Sequence, residues 1–403
     1  MLSKNRIKKI LELGVKEGVY PGAVLGVMER GRLTLTEAVG SLGVDDKKTP
    51  DEDTVYDLAS LTKVLITTTS IMQLLEKGLL NLDDTLTEFF PGAGEEYGDI
   101  TIRHLLTHTS GLPPLVKLWI NPGEKNKVLS YLLNLEVQSA PGSQVNYGDP
   151  NFILLGFLLE RITGESLQKY AQKNIIRPLG LQKTGFNPLQ SGASENINNI
   201  KDVNNINDIK VINDVNDVND FDNNSLNYNK IAEDEIAPTE FCSWRGKLIR
   251  GEVHDENSYF LGGVSGHAGL FSCLSDLIKL VNSLLIFENN FIESNGTNSS
   301  SKAYQLLHPL SLKLMQQTAT SGGMAARGMG WDKGGKPYCS GGVYLDETAF
   351  GHTGFTGTSI WHEPHSNLTV ILLTNRVNMG RENDKIISFR PRLHNLILTR
   401  LLQ

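Results

Sequence analysis

Ser60-Leu61-Thr62-Lys63-Val64-Leu65-Ile66-Thr67-Thr68-Thr69-Ser70-Ile71-Met72-Gln73-Leu74-Leu75-Glu76-Lys77 is the stretch on which the fold of this chain turns. It holds no Gly or Pro and predicts one helix over 60–77. Val64, Leu65, Ile66, Ile71, Met72, Leu74 and Leu75 are apolar, and most of the rest is small Thr and Ser. A helix that is apolar nearly all round is wrapped by protein on every side. Ser60 and Lys63 are three residues apart and share one face of it. Ser60 also falls in the first turn, where unpaired N–H groups and the helix dipole favour negative charge. A serine that must become an alkoxide needs those surroundings. Serine is also a favoured helix N-cap, so this pair alone does not establish catalysis.

The 403 residues exceed one typical domain and leave ample length for a large core. A net charge of −7 gives no basic footprint for nucleic acid. No uninterrupted apolar run reaches the roughly 18 residues that would span a membrane. Residues 1–15 carry lysines and leucines at helical spacing, without the apolar stretch and cleavage site of a signal peptide. Cys242, Cys273 and Cys339 are odd in number and form no C-x-x-C pair. That argues against a disulfide framework or a zinc ribbon and fits a reducing compartment. The expected location is cytoplasmic.

An amphipathic helix is expected over 4–18. Strands follow over 23–28 and 33–39, joined at Glu29-Arg30-Gly31-Arg32. Helices are expected at 101–107, 124–136, 152–163, 166–174, from about 275, and at 309–317. Strands return at 350–354, 358–363 and 368–374, before a closing helix over 384–402. Strands from both ends with helices between predict one sheet assembled from both termini, in an α/β chain of the α+β kind. Residues 191–230 differ in kind. Asn, Asp, Ile and Val recur there in units such as Asn213-Asp214-Val215-Asn216-Asp217-Val218. Such polar low-complexity sequence buries too little surface to offset ordering entropy, which predicts a mobile insertion. A second polar insertion is expected at 288–301.

Three short motifs stand in order along the chain: Ser60-Leu61-Thr62-Lys63, Tyr147-Gly148-Asp149 and His352-Thr353-Gly354. With the flanking Leu105-Leu106-Thr107-His108-Thr109-Ser110-Gly111-Leu112-Pro113 and Gly351-His352-Thr353-Gly354-Phe355-Thr356-Gly357, the sequence resembles the serine beta-lactamase and penicillin-binding protein superfamily. Within it, the chain is similar to class C beta-lactamase-like hydrolases. Gly251-Glu252-Val253-His254-Asp255-Glu256-Asn257 and the run from Gly262 to Phe271 resemble a branch with N-acetylmuramyl-L-alanine amidases and penicillin-binding-type carboxypeptidases. The resemblance covers nearly the whole chain apart from the two insertions. It implies a single beta-lactamase/transpeptidase-like catalytic domain over 1–403. An α/β region (about 1–55 and 320–403) carries an antiparallel sheet flanked by helices. A mostly helical region (about 56–319) packs against it.

The resemblance makes Ser60 the nucleophile, with Lys63 and Tyr147 as its partners. Splitting hydrolysis through an acyl-enzyme replaces one hard step by two easier ones. Lys63, desolvated on a buried helix, is expected to have a depressed pKa and to help deprotonate Ser60. Tyr147 would act as partner base and later protonate the leaving group. By family analogy the backbone N–H groups of Ser60 and Phe355 form the oxyanion hole. Gly354 and Gly357 would let substrate approach the strand edge. Asp149, His352, Thr353 and Gly354 fall on the substrate side.

Two positions depart from the lactamase pattern. Asp149 stands where Asn is usual; an ionised carboxylate only accepts hydrogen bonds, and its charge favours a protonated Lys63. His352 stands where a lysine is usual, and is expected to be only partly protonated near neutral pH. Both weaken the case for efficient penicillin hydrolysis.

His254 and His267, with Asp255, are open to three readings: metal ligands, contacts supporting the reactive residues or substrate, and structural hydrogen-bonding groups. Their spacing matches no structural zinc pattern, so no metal and no cofactor is assigned. His104 and His108 sit beside a helix end, where they satisfy backbone groups. Arg327 and Trp331, flanked by glycines, line a cleft or pack. The expected activity is cleavage of an amide or ester in a small-molecule or muropeptide-like acyl substrate, with an N-acetylmuramyl-L-alanine amidase-like reaction in front. The alternatives are a small-ester hydrolase, a D-alanyl-D-alanine carboxypeptidase with weak lactamase activity, and a catalytically silent penicillin-binding or sensor module.

Overall fold

The computed structural model describes residues 2–189, 231–285 and 305–401. The insertions expected at 191–230 and 288–301 lie outside the described residues. The main sheet has six strands in the order Arg32–Gly40, Gly22–Glu29, Leu368–Thr374, Ser359–Glu363, Phe350–Thr353, Asp332–Lys333. Every pairing is antiparallel. The C-terminal strand lies against the N-terminal hairpin, Ala23 opposite Thr374 and Glu29 opposite Leu368. Both termini thus build one sheet, as the order of elements predicted. The fold is the expected antiparallel sheet flanked by helices.

All seven residues of Leu368–Thr374 are buried, which marks a central strand covered on both faces. Alternate side chains serve the two faces. Leu368, Val370 and Leu372 join Ile7, Leu11, Phe389 and Leu393 in one core. Ile371 and Leu373 join Val64, Leu65 and Met72 in the other. The first core lies under the terminal helices, Leu2–Lys16 and Lys385–Leu401, where Tyr20 and Phe389 meet edge to face at 5.4 Å. The second lies under the helical region that carries residues 60–77 and the helix Asp149–Thr163.

Some local expectations need correction. The helix expected at 60–77 begins at residue 61 and contains a π-helical stretch, Lys63–Thr68, before Thr69–Glu76. There the Thr68 and Thr69 hydroxyls donate to the carbonyls of Lys63 and Val64, five residues back. The small Thr residues that looked like filler stabilise this widened turn. The helix expected to start at 152 starts at Asp149, so the second motif enters it directly. The segment expected to be helical over 124–136 shrinks to a turn at Lys125–Lys127 and the helix Val128–Leu132. A small sheet of Tyr56–Asp57, Leu270–Ser272 and Gly185–Phe186 had no sequence signal, since its strands are too short to show a period. It delivers the chain to Ser60.

Candidate active site

The backbone just before Ser60 is held from several sides. Ala59 has φ +47°, an unusual conformation for a residue with a Cβ. Such a conformation persists where its surroundings over-determine it. Asp57 Oδ1 accepts the Ala59 N–H at 2.8 Å, and Asp57 Oδ2 accepts the His254 N–H at 2.7 Å. The Thr356 hydroxyl donates to the Asp57 carbonyl at 2.7 Å and the Thr358 hydroxyl to the Leu58 carbonyl at 3.1 Å. Burial pushes the Asp57 carboxyl up, against the pull of those two backbone N–H groups.

Lys63 is fully buried, and its three ammonium protons each meet an acceptor. They are Ser60 Oγ at 3.1 Å, Asp149 Oδ1 at 2.9 Å and the His267 carbonyl at 3.1 Å. Burial acts to lower the Lys63 pKa, but Asp149 and Tyr147 outweigh it and the net shift is upward. The depressed value expected from the buried helix is therefore wrong in sign. Asp149 exerts the pull expected of its charge. As an ammonium, Lys63 donates to Ser60 Oγ.

The Tyr147 ring lies 5.2 Å from Lys63 Nζ, and the Arg327 guanidinium carbon lies 5.3 Å from the same ring. His108 backs it at 4.5 Å between ring centroids, and His352 is 5.8 Å away. His108 Nδ1 accepts the Gly148 N–H at 3.2 Å, and its carbonyl accepts the Asn146 N–H at 2.8 Å. It satisfies backbone groups, as its helix-end position suggested, and the groups it holds are those on either side of Tyr147. Burial, then Arg327 and Lys63, keep its pKa well below the usual histidine range.

His352 is buried, with Nδ1 2.9 Å from the Thr353 carbonyl. A carbonyl only accepts, so Nδ1 carries the proton and Nε2 is left as an acceptor. Burial, then Arg327 and Lys63, hold this imidazole well below its ordinary pKa. The partly protonated His352 expected from the sequence is thus a neutral one. Gly354 also has a packing reason to be bare. A Cβ there would stand 2.2 Å from Thr358 Oγ1 and 2.5 Å from the Leu58 carbonyl oxygen. Its bareness lets the third motif pack on the backbone leading to Ser60.

Phe355 is about half exposed, with its ring 5.5 Å from His254 on one side and 4.6 Å from the Arg376 guanidinium carbon. Arg376 Nε donates to the Phe355 carbonyl at 2.9 Å and fixes that peptide plane. Among the described residues, neither the Ser60 N–H nor the Phe355 N–H has a protein acceptor. One of these donors is on the nucleophile itself and the other directly follows Gly354, which packs on the Leu58 carbonyl; backbone donors without an internal acceptor suit a developing oxyanion.

His267 is hydrogen-bonded through Nε2 to Asp255 Oδ1 and through Nδ1 to Ser265 Oγ, both at 2.8 Å. Burial works against the Asp255 carboxylate, yet His267, the Ser258 N–H and Lys63 together hold its pKa well below the usual range. His254 is anchored by its N–H to Asp57, and its Nε2 lies 3.2 Å from Glu240 Oε1. Ligand-type atoms of Asp149, Asp255 and His267 come within 4.8 Å of one another. The cation that answers their charge is the Lys63 ammonium itself. Asp57, Arg376 and the placement of Arg327 over Tyr147 were not legible in the sequence. Asp57 reaches 197 residues along the chain to the His254 N–H besides its local bond to Ala59, and Arg327 and Arg376 act without a local motif.

A sequence model of the Beta-lactamase family matches residues 7–388. The chain belongs to the beta-lactamase family. Its resemblance to the serine beta-lactamase and penicillin-binding protein superfamily thereby stands, and it is a hydrolase of that superfamily. This beta-lactamase family member is 28% identical over 402 residues to the "N-acetylmuramyl-L-alanine amidase" of Bacillus subtilis (strain 168), covering 92% of this chain and 80% of that one. It is 29% identical over 381 residues to the "Putative D-alanyl-D-alanine carboxypeptidase" of Escherichia coli (strain K12), covering 89% and 79%. Among solved structures, "EstCE1, a hydrolase with promiscuous acyltransferase activity" superposes with a TM-score of 0.66 at 21% identity, covering 97% and 98%. The last likeness shows the fold alone. No described helix is long and apolar enough to cross a membrane.

Proposed function

We propose that this protein is a serine amidase of the class C-like type that cleaves the muramyl–L-alanine amide of a peptidoglycan fragment through an acyl-enzyme on Ser60. The observation that carries the reading is the saturated Lys63 ammonium beside Ser60 Oγ; the Ser60 and Phe355 N–H groups, without a protein acceptor among the described residues, support it. Near-full-length similarity to a named muramyl amidase supports the substrate class. In this reading Tyr147 enters as the phenolate, Ser60 Oγ attacks the lactyl carbonyl, and the serine proton passes to the Tyr147 oxygen. Lys63 stays an ammonium and steadies the forming alkoxide. The oxyanion is met by the N–H groups of Ser60 and Phe355. The C–N bond breaks as Tyr147 passes the proton to the departing alanine nitrogen. Water then attacks the Ser60 ester, Tyr147 takes its proton and returns it to Ser60 Oγ, and the free acid leaves.

A carboxypeptidase acting on D-alanyl-D-alanine is the second reading, favoured by comparable similarity to a relative of that name. A neutral His352 offers no fixed charge to a penicillin carboxylate, so penicillin turnover is expected to be far below that of a dedicated lactamase. One panel tests these readings. Wild type and Ser60→Ala each meet a muramyl-L-alanyl peptide, a peptide ending in D-Ala-D-Ala, a penicillin and a short-chain ester, read by mass spectrometry. Release of the muramic sugar by wild type alone supports the amidase. Loss of terminal D-Ala alone, or ester cleavage alone, replaces it with a carboxypeptidase or an esterase. No turnover and no adduct on Ser60 leaves a silent binding protein.

A further inference from the structure

We propose that the cleft walled by Trp244 and Tyr259 is a saccharide subsite that takes the pyranose ring of an amino sugar at the acyl end of the substrate. This rests on the muramyl-amide reading above and deepens it. The cleft has a volume of about 640 Å³, and Lys125, Asn187, Glu252 and Val253 complete much of its lining. Trp244 is 50% exposed and Tyr259 38%. Their rings meet edge to face, 5.9 Å apart at 84°, and Trp119 adds a third ring 5.8 Å from Trp244. Trp244 and Tyr259 on the cleft wall, with Trp119 beside Trp244, form a preformed platform for a flat apolar ligand face.

The platform is braced. The Arg245 guanidinium lies 3.9 Å over the Tyr259 ring and donates to the carbonyls of Val253 at 2.7 Å and His254 at 3.0 Å. A pyranose offers a flat face of C–H groups to such rings and a rim of hydroxyls to polar neighbours. Asn187, Glu252 and Lys125 provide those neighbours, and Lys125 has no ion-pair partner among the described residues. A wholly apolar ligand would leave that rim unanswered, at a cost for each polar group buried without a partner.

Both walls are tied to the reactive residues. Val253 lines the cleft, the next residue stacks on Phe355, and the one after, Asp255, holds the His267 whose carbonyl accepts from Lys63. On the other wall, Asn257 accepts the Leu118 N–H at 2.9 Å and donates to the Val116 carbonyl at 3.0 Å. That joins the Trp119 segment to the short helix Glu256–Phe260, which carries Tyr259. Four residues earlier than Leu118, the Pro114 carbonyl accepts the Asp149 N–H at 3.3 Å. A sugar held in the cleft therefore sits on elements continuous with Ser60's surroundings.

The test has two arms. In the first, free N-acetylmuramic acid is titrated into Ser60→Ala and into Ser60→Ala with Trp244→Ala, followed by calorimetry and saturation-transfer NMR. Binding to the first and a loss of about tenfold or more in the second is expected. In the second, kcat/KM is compared for a muramyl-L-alanyl peptide and for its sugar-free 2-methoxypropionyl-L-alanyl counterpart, in wild type and Trp244→Ala. The preference for the sugar-bearing substrate should fall about tenfold in the variant, mainly through KM. Sugar binding without muramyl-amide turnover would retire the amidase and keep the subsite. Turnover with an unchanged preference would retire the subsite and keep the amidase. Absence of sugar binding, or equal loss on both substrates, also overturns the subsite.

Discussion

The two faces of the main sheet are built on opposite terms. Under the terminal helices, Ile7, Leu11, Val370, Leu372, Phe389 and Leu393 pack in one apolar cluster, and the closing helix adds buried Arg390 and His394. Across the same strands, the opposite face shares its core with buried Lys63, Asp57, His108 and His352. One face stabilises by removing apolar surface from water. The other holds desolvated polar groups that are tolerated through hydrogen bonds and pairing, most fully at Lys63, which uses all three protons. The comparison teaches where stability and chemistry are separable: a change on the first face should cost stability, and one on the second should cost rate.

The sharpest break between the faces is expected at Lys63. Lys63→Met should lower kcat about a thousandfold or more, since the groups around a reacting serine act as a unit. Its stability should move by less than about 2 kcal/mol, because the same change removes a buried cation, and Asp149 is partly exposed and regains water. Steady-state rates and urea unfolding on one preparation check both. A collapse of the fold would mean that the inner face carries stability after all.

Leu393→Ala is the mirror experiment. Leu393 is fully buried between the sheet and its own helix. The truncation should cost about 3 kcal/mol. The rate per folded molecule should stay within about twofold of wild type. A larger rate loss at matched folded fraction would show that the two faces are coupled.

The smallest effect is expected at the sheet edge. Burial lowers the Lys333 pKa to about 8, while its ammonium donates to the carbonyls of Gln316 and Thr348. Its folded pKa lies below its unfolded one, so between those values the unfolded chain binds more protons. Stability should therefore rise with pH from about 8 toward about 10.4, the ordinary lysine value. Below pH 8 both states are protonated and the charged lysine opposes folding. Urea unfolding at pH 7.5 and pH 10 should show this increment in wild type and a smaller one in Lys333→Met. Equal increments would mean that Lys333 is not its source.

Much of the fold was legible because the signals were local. The mostly apolar run at Leu368–Thr374 and the hairpin of Gly22–Glu29 and Arg32–Gly40 announced a sheet drawn from both ends of the chain. The π-helical stretch at Lys63–Thr68 was not legible, since a widened turn keeps the composition of an ordinary helix. Nor was the three-stranded sheet that aims Ser60, whose strands are two or three residues long.

The sequence by itself determined the inventory: Ser60 and Lys63 one helical turn apart, Tyr147 two residues before Asp149, and His352 on a C-terminal strand. Only the tertiary structure decided protonation and reach. The acceptors that hold Lys63 as an ammonium stand 86 and 204 residues away along the chain. Burial first, and then Arg327 and Lys63, hold the imidazole of His352 well below its ordinary pKa. A side chain's charge depends on the solvent it loses and the charges it gains, and a folded chain sets both through residues that no local motif contains.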